Sequence, residues 1–155
     1  MDSSKYTYLK LQNQFCFPLY AAAREVIKVY KPHLDTLDLT YTQYIAMMLL
    51  WEHREMTVKE MGTYLYLDSG TLTPLLKKLE SKGLLTRTRS TKDERNLNVA
   101  ITAEGLALRD RAVNIPVEMG KCNPLTLEES LIMYRLLYKM LGQSDTEDPD
   151  WVDLM

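Results

Sequence analysis

The sequence predicts a mainly α fold of the α+β class, one helical domain carrying a single small β-hairpin. Three observations lead there. Apolar residues recur at helical spacing through most of the 155 positions. Three capping-box patterns mark helix starts, and one central stretch switches to strict alternation. The length suits one ordinary domain, residues 1–155, able to bury a core without metal or disulfide staples.

The first helix is expected over about Leu9 to Tyr30, ending before Pro32, because a residue preceding proline is steered away from helical torsions. "TYTQ", "TVKE" and "TLEE" pair Thr40 with Gln43, Thr57 with Glu60 and Thr126 with Glu129, so helices should start near Tyr41, Val58 and Leu127. "DSG" offers Asp68 or Ser69 as the cap of another helix, whose Leu72, Leu75, Leu76 and Leu79 form one stripe and which Gly83 stops. Pro74 lies past the first turn of that helix and removes the bond to the Gly70 carbonyl, which predicts a bend there or a later start. "LLTRTR" at 84–89, a polar tip "STKDERN" and "LNVAI" make a two-stranded hairpin. A helix then runs from Thr102 to about Met119, the TLEE helix fills 127–142, and the tail 143–155 reads as a mobile end.

Several classes of function fall away. The longest apolar stretch, "YIAMMLLW", is too short to cross a bilayer and no leader pattern opens the chain, so a soluble, cytoplasmic protein with no membrane contact is expected. Six glycines are scattered singly, and His33, His53, Cys16 and Cys122 show no ligand spacing; neither enzyme activity, a metal nor a cofactor is expected. The formal charge of −2 hides a division: the last thirteen residues carry five acids and no base, which leaves the rest at +3. Seven basic residues (Lys77, Lys78, Lys82, Arg87, Arg89, Lys92, Arg95) fall between 77 and 95 against three acids. Basic charge concentrated locally is what a phosphate footprint requires.

A short helix, a tight connection, a second helix and a hairpin in that order make a winged helix-turn-helix, whose second helix enters the major groove of double-stranded DNA. With the leucines inward, Thr73, Pro74, Lys77, Lys78 and Ser81 face outward, with Thr71 on the flank and Asp68 and Ser69 at the start. Short hydroxyls and cations suit base edges and phosphates. Arg95 at the hairpin tip, with Arg87 and Arg89 on the preceding strand, is placed for an adjacent minor groove. Either feature alone is also what a solvated surface looks like; their adjacency favours DNA.

"LTYTQYIAMMLLWE", "LYLDSGTLTPLLKKLESKGLLTRTRS" and "DERN" resemble the MarR family of winged-helix repressors and, within it, the organic-hydroperoxide-sensing, thiol-based branch (OhrR type). The resemblance covers about Leu11 to Leu141. It implies a homodimer held by the first, fifth and sixth predicted helices and reading a pseudo-palindromic operator. It also implies that Asp93 of an Asp-x-Arg wing motif positions Arg95 for the minor groove.

The residues alone leave Cys16, in "FCFPLY", open between a small packing hydrophobe among Phe15, Phe17 and Leu19 and a reactive thiol. The resemblance implies the second: a redox sensor hydrogen-bonded by Tyr30 and Tyr41 of the opposite subunit, with Tyr20 a weaker addition, and with an oxidant or a small thiol as its reaction partner. Cys16 and Tyr30 on one helix would stand roughly 21 Å apart, too far to meet within a chain. Cys122, in "GKCNPLT", is either an exposed bystander or, by the resemblance, the residue that resolves oxidised Cys16 as a disulfide. Pro18 departs from the family pattern. It either kinks the first helix or belongs to its first turn, and in the second case Cys16 sits at a helix N-terminus that favours thiolate. Two rivals remain: a MarR-type repressor gated by a small aromatic ligand with Cys16 only packed, and a protein-interaction module using Trp151, Val152 and Leu154 of the tail.

Overall fold

In chain order the elements are α1 Cys16–Asp35, α2 Tyr41–His53, β1 Glu55–Thr57, α3 Val58–Leu65, α4 Ser69–Ser81, β2 Leu85–Arg89, β3 Leu97–Ile101, α5 Ala103–Ala112, α6 Ile115–Lys121 and α7 Leu127–Met140. Short 3-10 turns at Ser3–Leu9 and Leu11–Asn13 precede them, and one at Asp150–Leu154 follows. The computed structural model describes residues 3–89, 97–143 and 147–154. They fall into two compact units, within 1–119 and within 120–155.

Local chemistry decides the helix starts. At α2 the Gln43 amide donates to Thr40 Oγ1 at 3.3 Å while Gln43 Oε1 accepts from the Thr40 amide at 3.0 Å. Thr57–Glu60 and Thr126–Glu129 repeat this reciprocal bonding at α3 and α7. The amide bonds they accept hold the Glu60 and Glu129 carboxyls below the ordinary range. Asp68 caps α4 by accepting from the Thr71 amide at 2.8 Å. Gly83, at φ +73°, closes α4: its amide reaches the Glu80 carbonyl and the Leu84 amide reaches the Leu79 carbonyl. The helix therefore starts at Ser69, directly after its cap, and continues through Pro74.

Three expectations are corrected. α1 begins at Cys16 rather than near Leu9 and continues through Pro32 to Asp35, because Leu34 inside it and Leu37 and Leu39 just beyond it are buried at 2%, 5% and 5% exposure. Core packing outweighs the one backbone bond that Pro32 removes. The helix expected from Thr102 to Met119 is two, α5 and α6, since Pro116 cannot donate to the Ala112 carbonyl and its ring collides with it; α5 ends at Ala112. The sheet has three strands rather than two, in the order β1-β3-β2 and antiparallel throughout, with Met56 opposite Val99 and Arg87 also opposite Val99.

The core of the first unit gathers Leu72, Leu75, Leu76 and Leu79 of α4 with Met47 and Leu50 of α2, Met61 of α3, and Leu85 and Val99 of the sheet. The second unit contains α7 and the tail. Within residues 147–154, Asp148 takes a forked bond from Arg135 at 2.8 Å, and Trp151 meets the Tyr134 ring edge-on at 6.2 Å.

Where α5 crosses the root of β2, a Cβ on Gly105 would stand 2.0 Å from the Leu84 carbonyl oxygen, whereas one on Gly120 would meet nothing within 4 Å among the described residues. Urea denaturation should show Gly105→Ala losing about 1–3 kcal/mol or more, and Gly120→Ala unchanged or gaining up to about 1 kcal/mol.

Candidate nucleic-acid interface and thiol site

The outward face of α4 is as the stripe requires. Leu72, Leu75, Leu76 and Leu79 are buried, and Thr71, Thr73, Pro74, Lys77, Lys78 and Ser81 are exposed together with Asp68 and Ser69 at the start. Three hydroxyls on this face are engaged locally: Thr71 Oγ1 donates to Asp68 Oδ2 at 3.3 Å, Thr73 Oγ1 to the Ser69 carbonyl at 2.7 Å and Ser81 Oγ to the Lys78 carbonyl at 2.8 Å.

The basic cluster divides by its partners. Lys82 reaches back to Asp38 at 2.9 Å. Arg87 is held by Glu80: its Nη2 and Nε donate to Oε2 at 2.6 and 3.0 Å, and its amide donates to Oε1 at 3.0 Å. This ties the C-terminal turn of α4 to the middle of β2, and Arg87 keeps the Glu80 carboxyl below the ordinary range. The tie is thus complete above the ordinary carboxylate pKa and is lost only as the pH falls through the lowered one. Lys77, Lys78 and Arg89 are exposed. Asp93 and Arg95, with Lys92, lie outside the described residues.

Pro18 stands third in α1, where a missing amide hydrogen costs nothing, so it belongs to the first turn and Cys16 is the first helical residue. The thiol is exposed, as are Phe15, Phe17 and Leu19 around it, so within this chain Cys16 is not a packed core residue. Tyr20, one turn on, accepts from Arg24 Nη1 at 2.8 Å. Tyr30 and Tyr41 come together at the other end of α1, ring centroids 5.0 Å apart and edge-on. Tyr44, which sequence reasoning passed over, completes a trio at 6.1 Å from Tyr30. Burial raises the phenol pKa of all three, and that of Tyr44, also facing Tyr30 and Tyr41, is pushed up to about 12. Cys122 follows α6 and is exposed in the second unit. Among the described residues no group of three His, Cys, Asp or Glu side chains is arranged to hold a metal ion, and no helix is long and apolar enough to cross a membrane.

A family model described as "Transcriptional regulator SarA/Rot" matches residues 28–111, more than half of the chain. The chain belongs to this family of transcriptional regulators. The matched stretch of this SarA/Rot member runs from the tyrosine trio through the sheet and includes neither cysteine. The organic hydroperoxide resistance transcriptional regulator of Bacillus subtilis (strain 168) is 56% identical over 113 residues, which is 73% of this chain and 77% of that protein. Among solved structures, overoxidised AbfR bound to DNA, a Staphylococcus epidermidis protein, superposes with a TM-score of 0.73 at 31% identity, covering 89% of this chain and 97% of its own. Disulfide-formed AbfR superposes at 0.57 with the same identity, covering 93% and 95%. The mainly α, winged-helix architecture and the likeness to MarR-type regulators, among them an organic hydroperoxide resistance regulator, expected from the sequence are thereby established for this SarA/Rot chain.

The difference between free and tied cations has a measurable form. Lys77→Ala should lower the slope of log affinity for operator DNA against log salt by about 0.9, the amount that one phosphate no longer neutralised accounts for. Arg87→Ala should lower the melting temperature, weaken binding and leave that slope unchanged.

Proposed function

We propose that this SarA/Rot regulator is a homodimeric repressor that binds a pseudo-palindromic operator through α4 and the β2–β3 wing, and releases it when organic hydroperoxide oxidises Cys16. One observation carries the reading: the Tyr30–Tyr41 pair is assembled at the opposite end of α1 from the exposed thiol of its own chain. The family resemblance gives this pair to the thiol of the opposite subunit, and a second copy related by a two-fold axis supplies one.

Exposed apolar side chains support the dimer. Val26, Ile27 and Val29 of α1 and Val117 of α6 in the first unit, and Ile132, Leu136 and Met140 of α7 in the second, lie open to solvent in the single chain. Exposed apolar side chains on the helices of each unit are of the kind that mark association. For DNA, the outward α4 face presents hydroxyls and lysines to the major groove, with Asp93 and Arg95 assigned to the wing tip.

The chemistry balances without a cofactor. The Cys16 thiolate attacks the distal oxygen of the hydroperoxide, the O–O bond breaks, and the alkoxide leaves as an alcohol after taking a proton from solvent. Sulfur is oxidised by two electrons to sulfenic acid. Condensation with a second thiol, from Cys122 of the partner or from a small molecule, then gives a disulfide and water. AbfR is described both overoxidised on DNA and in a disulfide form, which supports the second step as the one that releases the operator.

The test is operator affinity with and without an organic hydroperoxide. Oxidation should weaken the parent by about 5- to 150-fold, the usual range of allosteric coupling, while Cys16→Ser keeps its affinity; release by Cys16→Ser would overturn the proposal. Non-reducing electrophoresis should show a covalent dimer that Cys122→Ser abolishes unless a small thiol caps Cys16 instead, which mass spectrometry would display as an adduct.

A further inference from the structure

The tyrosine trio does not end at Tyr44. That residue, 3% exposed, meets the Trp51 ring edge-on at 6.0 Å, two turns along α2. Trp51 in turn donates its indole N–H to the Gly105 carbonyl at 2.8 Å, a buried bond across 54 residues of sequence. Gly105 is where the root of the wing is fastened. Its amide donates to Thr102 Oγ1 at 3.0 Å, and Thr102 Oγ1 donates to the Gly83 carbonyl at 2.6 Å. The Thr102 amide bonds the Leu84 carbonyl, the same oxygen that leaves no room for a Cβ on Gly105.

We infer that Tyr44 and Trp51 are positioning residues that carry a displacement of the Tyr30–Tyr41 pair along α2 to the root of the wing. The inference rests on the reading of Cys16 as the sensor and names the route by which its oxidation reaches the DNA-reading face. Three features suit the row to this. Its members touch in sequence, Tyr30 to Tyr44 to Trp51, with ring separations of 6.1 and 6.0 Å. Two of them stand on one helix, so a shift at one end is not absorbed by a loop. The far end is a directional hydrogen bond to backbone, and a buried carbonyl deprived of its donor is costly, so the wing root follows the indole rather than letting it slide. A packed row of this kind shifts between discrete arrangements rather than deforming smoothly.

Trp51→Phe keeps a ring against Tyr44 and removes the N–H. The experiment reads the ratio of operator affinities of reduced and peroxide-treated protein, with Cys16 oxidation followed in the same samples by mass spectrometry. The expected result is full oxidation of Cys16 in parent and variant, with the variant's ratio at least about fivefold smaller than the parent's; a factor of about 5 is the lower end of ordinary allosteric coupling. A merely structural role for the indole would lower the melting temperature and leave the ratio alone, and an unchanged ratio overturns the relay. Hydrogen exchange on the parent serves where the variant fails to fold. Oxidation should speed exchange at the amides of Thr102 and Gly105, and release of the operator without that change also overturns the relay. A parent that keeps its operator with Cys16 fully oxidised overturns the sensor reading instead.

Discussion

Everything on the outward face of α4 depends on one packing constraint, the burial of Leu72, Leu75, Leu76 and Leu79. These four fix the rotation of α4 about its axis. A helix with its apolar stripe sealed has no choice about which residues it presents, so Lys77 and Lys78 are exposed as a consequence of hydrophobic burial rather than by any property of their own. The Glu80–Arg87 tie then fixes the wing's first strand against the same helix. Helix and strand are oriented together, as the proposed contact with two grooves demands.

What was legible in the sequence was what is decided locally. Capping boxes need only four consecutive residues, and Thr40, Thr57 and Thr126 mark their helices to the residue. The leucine stripe of α4 is likewise local. Two of the misreadings are nonlocal. Pro32 is a fair stop signal, overruled by leucines that find a core the sequence does not display. β1 has three residues, too few to alternate visibly, and exists because β3 has a free edge. At α5 and α6 the local signal was present, a proline four residues beyond Ala112, and the run of apolar residues concealed it.

The candidate site divides in the same way. The lysines of α4 follow from periodicity, and the assignment of Cys16, Tyr30 and Tyr41 follows from a resemblance that the 56% identical hydroperoxide regulator supports at the level of the family. Neither route reached the tie that holds Arg87, whose partner lies on another element, or Trp51, whose bond spans half the domain. Tyr44 was within reach, three residues after Tyr41 on one helix face. Opposite charges seven residues apart carry no pairing signal until a turn folds strand onto helix.

The placement of the two tryptophans has a practical consequence. Trp51 is nearly enclosed in the first unit, and Trp151 is half-buried against Tyr134 in the second. Each compact unit therefore carries one tryptophan in its own surroundings, and replacing either leaves a chain whose tryptophan emission belongs to a single unit. Unfolding of the core and detachment of the tail become separable optical signals, with no label added to either cysteine.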